Sequence, residues 1–206
     1  MASSSVSDRL GAAWFVDGAY VSKVWQSLQR RDKPDYLKLR RLLETYLHSE
    51  PKEAIEDAYY FTAESDPAKT NAFHSALSFP PPSGPGLRVK SYWLSRRQLQ
   101  WPASLGGGAV IHPQTGEPFE LTQQKAVDVG LVFHLLRSFS LRRWRVLFLA
   151  AGDGDFHEAV QHLVENEGVD VYLIGALNSI SDELRPYARE IIRLDERAEE
   201  LARVRA

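Results

Sequence analysis

Val146-Leu147-Phe148-Leu149-Ala150 contains no polar side chain, and Ala12-Ala13-Trp14-Phe15-Val16 repeats the pattern near the other end of the chain. A strand with one wet face alternates polar and apolar residues, so runs like these must be covered on both faces. Helices above and below a sheet supply that cover, and the intervening segments have helical period. The strands predicted this way are Ala12 to Val16, Ala58 to Ala63, Leu87 to Leu94, Val146 to Ala150, Val169 to Ile174 and Ile191 to Leu194. Helices are expected from about Val21 to Gln29, Tyr36 to Leu47, Pro67 to Leu77, Gln124 to Phe139, Phe156 to Glu167 and Ser181 to Ala188. The expected fold class is therefore α/β, with a mainly parallel central sheet.

Two stretches break the alternation. Phe79 to Gly86 is rich in proline, and Ser95 to Gln123 contains Gly106-Gly107-Gly108, so both are expected to be loops. Neither is a domain linker, because sheet elements needed for one core flank each of them. The expected organisation is a flexible tail over 1–11, one domain over 12–195 with a loop insertion at about 95–123, and a peripheral C-terminal helix over 196–206.

Cysteine is absent from the 206 residues, which removes zinc-thiolate sites, thiol nucleophiles and disulfides and is compatible with a reducing cytoplasm. No segment reads as a signal peptide or a transmembrane helix, so a soluble cytoplasmic protein without membrane partners is expected. A net charge of -2 gives no global attraction to a polyanion. Nucleic-acid binding would need a local basic surface.

Against this apolar background four aspartates stand in expensive places. Asp17 ends the first run, Asp128 lies within the apolar Ala126 to Phe133, and Asp153 and Asp155 follow the Val146 run in Gly152-Asp153-Gly154-Asp155. In a parallel sheet, residues just past the carboxyl ends of strands share one edge, where ligands bind at the reversal of strand order. Clustered carboxylates in such a place either take up protons or share a cation. Carboxylate oxygens are the ligands that Mg²⁺ and Mn²⁺ prefer. Taken singly, Asp17 reads as a turn former and Asp153 or Asp155 as a helix cap.

At Phe15-Val16-Asp17-Gly18-Ala19-Tyr20, Lys125-Ala126-Val127-Asp128-Val129 and Ala151-Gly152-Asp153-Gly154-Asp155-Phe156 the chain resembles the NYN family of PIN-like nucleases, especially its bacterial LabA-like branch. The resemblance runs from about Trp14 to Leu194. It implies a PIN-like, Rossmann-like three-layer sandwich and metal-dependent cleavage of RNA, single-stranded or structured, leaving a 5′-phosphate and a 3′-hydroxyl. Asp17, Asp128, Asp153 and Asp155 match the family's acidic positions and are the expected catalytic and metal-holding residues, with Mg²⁺ or Mn²⁺ as cofactor. Two positions depart from the family pattern: Tyr20 stands where many relatives carry asparagine, and Ala151 where serine is usual.

The expected substrate contacts are Lys125, Tyr20, Lys90, Arg96, Arg97 and Ser181. Lys125 precedes Asp128 by three residues and shares its helix face, where it serves either a phosphate or an intrahelical ion pair. Lys90, Arg96 and Arg97 mix with Tyr92, Trp93 and Trp101, a combination suited to tracking a single strand and stacking its bases. Ser179 and Ser181 follow the fifth predicted strand, where each is either a phosphate contact or a helix cap. Arg142-Arg143-Trp144-Arg145 precedes the fourth strand and falls at the opposite sheet edge. Gly152-x-Gly154 lacks a third glycine, so no nucleotide cofactor is expected. A weakly catalytic binding module and a metal-dependent phosphatase are the alternatives. The phosphatase would place an Asp-x-Asp pair after the first strand, whereas here it follows the fourth. Homo-oligomerisation is left open.

Overall fold

The computed structural model describes residues 11–30, 32–47, 54–69, 71–124 and 126–203. Seven strands form one sheet: β1 (Ala12–Asp17), β2 (Ile55–Glu64), β3 (Arg88–Gln98), β4 (Glu120–Gln124), β5 (Val146–Ala150), β6 (Asp170–Gly175) and β7 (Ala188–Arg193). Their spatial order is β4-β3-β2-β1-β5-β6-β7. All neighbours are parallel except β3 and β4, which are antiparallel. The chain builds outward from β1 through β2 and β3, then returns to place β5 on the other side of β1. Strand order therefore reverses between β1 and β5, the position where open α/β sheets form a crevice.

The alternation of β1 sorts its side chains between two cores. Ala12, Trp14 and Val16 pack with α1 (Gly18–Ser27), α2 (Tyr36–Glu44), α3 (Ala72–Ser78) and α6 (Ala198–Leu201). Ala13 and Phe15 pack with α4 (Val127–Arg142) and α5 (His157–Gln161). Every residue of β5 is buried, as expected for a strand covered on both faces. The α/β three-layer sandwich is thus present, and its design accounts for the unbroken apolar runs.

Two helices start later than expected, α3 at Ala72 rather than Pro67 and α4 at Val127 rather than Gln124, and three further elements differ in kind or extent. The stretch 95–123 is not simply loop. β3 continues to Gln98, and Leu94 to Gln98 pair antiparallel with Gln124 to Glu120; bridges Gln100↔Ala109 and Ile111↔Pro118 extend the arm. Arg96 to Gln98 and most residues from Gln100 to Leu121 are exposed, so no apolar run is demanded there. The helix expected over Ser181 to Ala188 is only a 3₁₀ turn at Arg185–Tyr187, since Pro186 lacks an amide hydrogen and Ala188 already belongs to β7. The C-terminal helix has four residues, and its Ala198 and Leu201 are buried rather than peripheral. The expected tail lies, apart from Gly11, outside the described residues.

Candidate active site

Asp17 ends β1 facing the α4 side, because it alternates in phase with Ala13 and Phe15. Its Oδ1 accepts from the amides of Ala19 (2.9 Å) and Tyr20 (3.1 Å), capping α1. Asp153, one residue pair beyond the end of the adjacent strand β5, caps a 3₁₀ turn in the same way: Oδ1 accepts from the Asp155 amide at 3.1 Å. The capping role weighed for Asp153 is therefore real, and Asp17, weighed as a turn former, is a cap as well. The two caps use one oxygen of each carboxylate, and among the described residues no donor reaches either Oδ2.

Asp128 arrives from the opposite direction. Sequence periodicity sets it inside an apolar helix, but α4 begins at Val127, so Asp128 lies in the first turn and is exposed. The positive end of the helix dipole favours a carboxylate there. Ala126, immediately before the helix, holds a left-handed φ of 64°, a strained backbone for a residue with a Cβ. Asp17, Asp128 and Asp153 line one cleft of about 1120 Å³, together with Tyr20 and Lys23 of α1 and Ser179 after β6. Asp155 is exposed and stands just outside that lining.

Tyr20 lies over the strand ends. Its hydroxyl is 2.7 Å from Ser179 Oγ, and a Cβ at Gly152 or Gly175 would lie 2.5 Å or 2.0 Å from Tyr20 atoms. These two glycines leave the space the ring needs. Burial pushes the Tyr20 hydroxyl up to about 12, so it stays a neutral hydrogen-bonding group at physiological pH.

Of the other expected contacts, Lys90, Arg96, Arg97 and Ser181 do not line the cleft. Lys90 is level with Asp17 across the sheet, through the register Asp17↔Phe61↔Lys90, but two strand spacings away, about 10 Å. Arg96 and Arg97 are exposed on the β3–β4 arm, beside Trp93, itself 63% exposed and outside the core. Ser181 Oγ accepts from the Glu183 amide at 3.2 Å, a turn cap. Lys125 lies outside the described residues. Sequence reasoning missed Lys23, which carries no motif and looks like any surface lysine. It also missed Arg193 and Asp195, which pair with each other on the far wall.

A family model described as the NYN domain matches residues 12–195. The chain belongs to the NYN domain family. Membership implies a nuclease-type, PIN-like function for this NYN domain. A search of the curated proteins finds no match. Among solved structures, the fold is similar to a protein of unknown function from Vibrio parahaemolyticus, VPA0982, with TM-score 0.54 and 19% identity over 98% of this chain and 100% of that one. At that identity the likeness concerns the fold alone.

The electrostatics of the NYN cleft are those of crowded acids. Burial raises the Asp17 carboxyl, its two capping amides oppose that, and Asp128 raises it further. Asp128, exposed at its surface but partly withdrawn from water on the cleft side, is raised by that desolvation, with Asp153 and Asp155 adding to the effect. A raised carboxyl binds protons more readily folded than unfolded, so its contribution to stability is complete below the ordinary value of 3.8 and is lost as pH climbs through the raised value. Asp128→Asn is therefore expected to raise the thermal midpoint measured in EDTA at pH 7, by about 2–4 °C if solvent screening leaves ~1 kcal/mol of repulsion to relieve. A lower midpoint would contradict this electrostatic picture.

An all-oxygen donor set fits a hard divalent cation. Among the described residues no three acidic or histidine side chains form a ready ligand group. Mg²⁺ commonly uses one or two carboxylates and keeps several waters, so the two undonated Oδ2 atoms of Asp17 and Asp153 fit that demand.

Proposed function

We propose that this NYN domain is a Mg²⁺- or Mn²⁺-dependent endoribonuclease whose chemistry takes place in the cleft between the ends of β1 and β5. The observation that carries this reading is the convergence of Asp17, Asp128 and Asp153 on one cleft, from two adjacent strand ends and a helix N-terminus. The LabA-like branch motifs and a cysteine-free composition compatible with the cytoplasm agree with it. No helix among the described residues is long and apolar enough to cross a membrane.

Asp17 and Asp153 would hold the cation through their undonated oxygens, with Asp128 and Asp155 completing the shell through waters. A cation held there would supply positive charge to the scissile phosphate and lower the pKa of a water beside it. The capping hydrogen bonds fix the Asp17 and Asp153 carboxylates before substrate arrives, so little ordering remains for the reaction step. Asp128, whose carboxyl is raised, is suited to take a proton from the attacking water. Tyr20, tied to Ser179, offers a neutral hydroxyl to the substrate. Lys23 supplies a cation to the phosphate on the α1 side, while Lys90 and the arm residues Arg96 and Arg97 meet the strand farther out.

A catalytically weak RNA-binding module is the second reading, favoured by the lack of a ready three-residue ligand group among the described residues. Labelled RNA and DNA incubated with the protein in Mg²⁺, Mn²⁺ or EDTA separate the two. Metal-dependent internal cleavage of RNA supports the nuclease. Binding without cleavage supports the module, and cleavage that persists in EDTA contradicts the proposed chemistry.

A further inference from the structure

A second pocket, of about 200 Å³, opens on the α4 side of the sheet toward the amino ends of the strands. Its floor is Asp57, only 2% exposed. A buried carboxylate needs donors at both oxygens, and Asp57 has them: Arg88 on Oδ1 at 2.6 Å, the Ser138 hydroxyl on Oδ2 at 2.6 Å, and Arg142 at 3.2 Å. Trp144 Nε1 in turn donates to Ser138 Oγ at 2.9 Å. The Arg88 and Arg142 side chains nevertheless remain 49% and 50% exposed. The buried acid fixes both, and Arg88 donates as well to the Tyr59 hydroxyl at 2.8 Å and the Glu56 carbonyl at 3.2 Å, so two half-exposed positive charges are held in place at the pocket.

Neutralising Asp57 does not explain the rest of the pocket. Arg137 on α4 also lines it, Lys90 lies 6.0 Å from the Tyr59 ring in its wall, and among the described residues no carboxylate pairs with either. Four cations thus surround two carboxylates, Asp57 and Glu56, the latter 3.6 Å from Arg142. The wall is aromatic: Tyr59 and His134 stack at 5.5 Å, and the Arg88 guanidinium covers Tyr59 at 4.7 Å. Burial, then Lys90 and Arg137, lower the His134 pKa, a sign of local positive potential.

We propose that the pocket formed by Arg88, Arg137, Arg142, His134 and Tyr59 binds a phosphate group of a nucleic-acid strand, as an anchoring site separate from the carboxylate cleft. The preset guanidiniums suit a phosphodiester, and the aromatic wall suits the adjoining sugar or base. α4 joins the two places, running from Asp128 beside the cleft to Arg142 at the pocket, about 21 Å. A strand of several nucleotides spans that distance, so long substrates are held at two points and short ones at one. The proposal rests on the nucleic-acid reading above, but not on hydrolysis.

The test is binding of a labelled 16-nucleotide single-stranded RNA and of a 4-nucleotide one, in Ca²⁺ so that the carboxylate cleft keeps a divalent cation, with a gel control that neither strand is cleaved, by fluorescence anisotropy over a salt series. Arg137 is exposed and pairs with no carboxylate among the described residues, so Arg137→Gln is expected to leave the fold intact. This substitution is expected to weaken binding of the long strand about three- to tenfold and to shrink the logarithmic salt slope by about 0.7. The short strand should be much less affected. Equal weakening of both, or of neither, overturns the two-point site, whatever the cleavage assay shows. Arg137-dependent binding of inorganic phosphate with unchanged strand binding assigns the pocket to a free anion and also overturns it. Arg137-dependent strand binding without any metal-dependent cleavage keeps this site and removes the nuclease.

Discussion

Asp153→Asn is expected to reduce metal-dependent RNA cleavage on the order of 10³-fold while leaving the fold and strand binding in place. The substitution keeps an oxygen that can accept from the Asp155 amide, so the 3₁₀ turn after β5 retains its cap. It removes the charge that the undonated side of the carboxylate offers to a cation. A positioned divalent ion contributes several kcal/mol of transition-state stabilisation, and each 1.36 kcal/mol is about tenfold in rate. Single-turnover cleavage at saturating Mn²⁺, with circular dichroism as the fold control, measures the effect. Activity within about threefold of wild type would remove Asp153 from the reaction.

The second large effect is structural. Asp57→Ala is expected to destabilise the domain by about 3 kcal/mol, toward the lower end of the range for breaking a buried ion pair, because both arginines reach solvent. The change also removes the acceptor of the Ser138 hydroxyl, which lies 5% exposed against Trp144. At about 2–4 °C per kcal/mol the thermal midpoint should fall by roughly 6–12 °C. Chemical denaturation reads the same quantity as a shifted midpoint. A loss under about 1 kcal/mol would mean that water replaces the carboxylate without strain and that the cluster is not a built one.

What could be read in advance follows from where water reaches. β1 and β5 sit at the centre with both faces covered, and their sequences say so without ambiguity. Asp17 and Asp153 were visible because a carboxylate directly after such a run has no apolar rationale. The outer half of β3 and all of β4 escaped notice, since a wet arm puts no periodic demand on its residues. Asp57 escaped for a related reason: within Ile55-Glu56-Asp57-Ala58 it resembles a polar strand end, and only the third dimension brings Arg88, Ser138 and Arg142 to it. The glycines at 152 and 175 were legible as glycines, but their reason, the Tyr20 ring, comes from a helix more than a hundred residues away in the chain. Lys23 gave no signal that distinguishes it from other surface lysines.

The central claim is that acids from separate elements share one divalent ion. A crystal soaked in Mn²⁺, with data collected for manganese anomalous scattering, tests it most directly. The account predicts an anomalous peak within coordination distance of Asp17 Oδ2 and Asp153 Oδ2, at about 2.0–2.6 Å, with Asp128 reaching it directly or through water. Saturating Mn²⁺ that leaves the cleft without a peak, or binds only elsewhere on the surface, would contradict it.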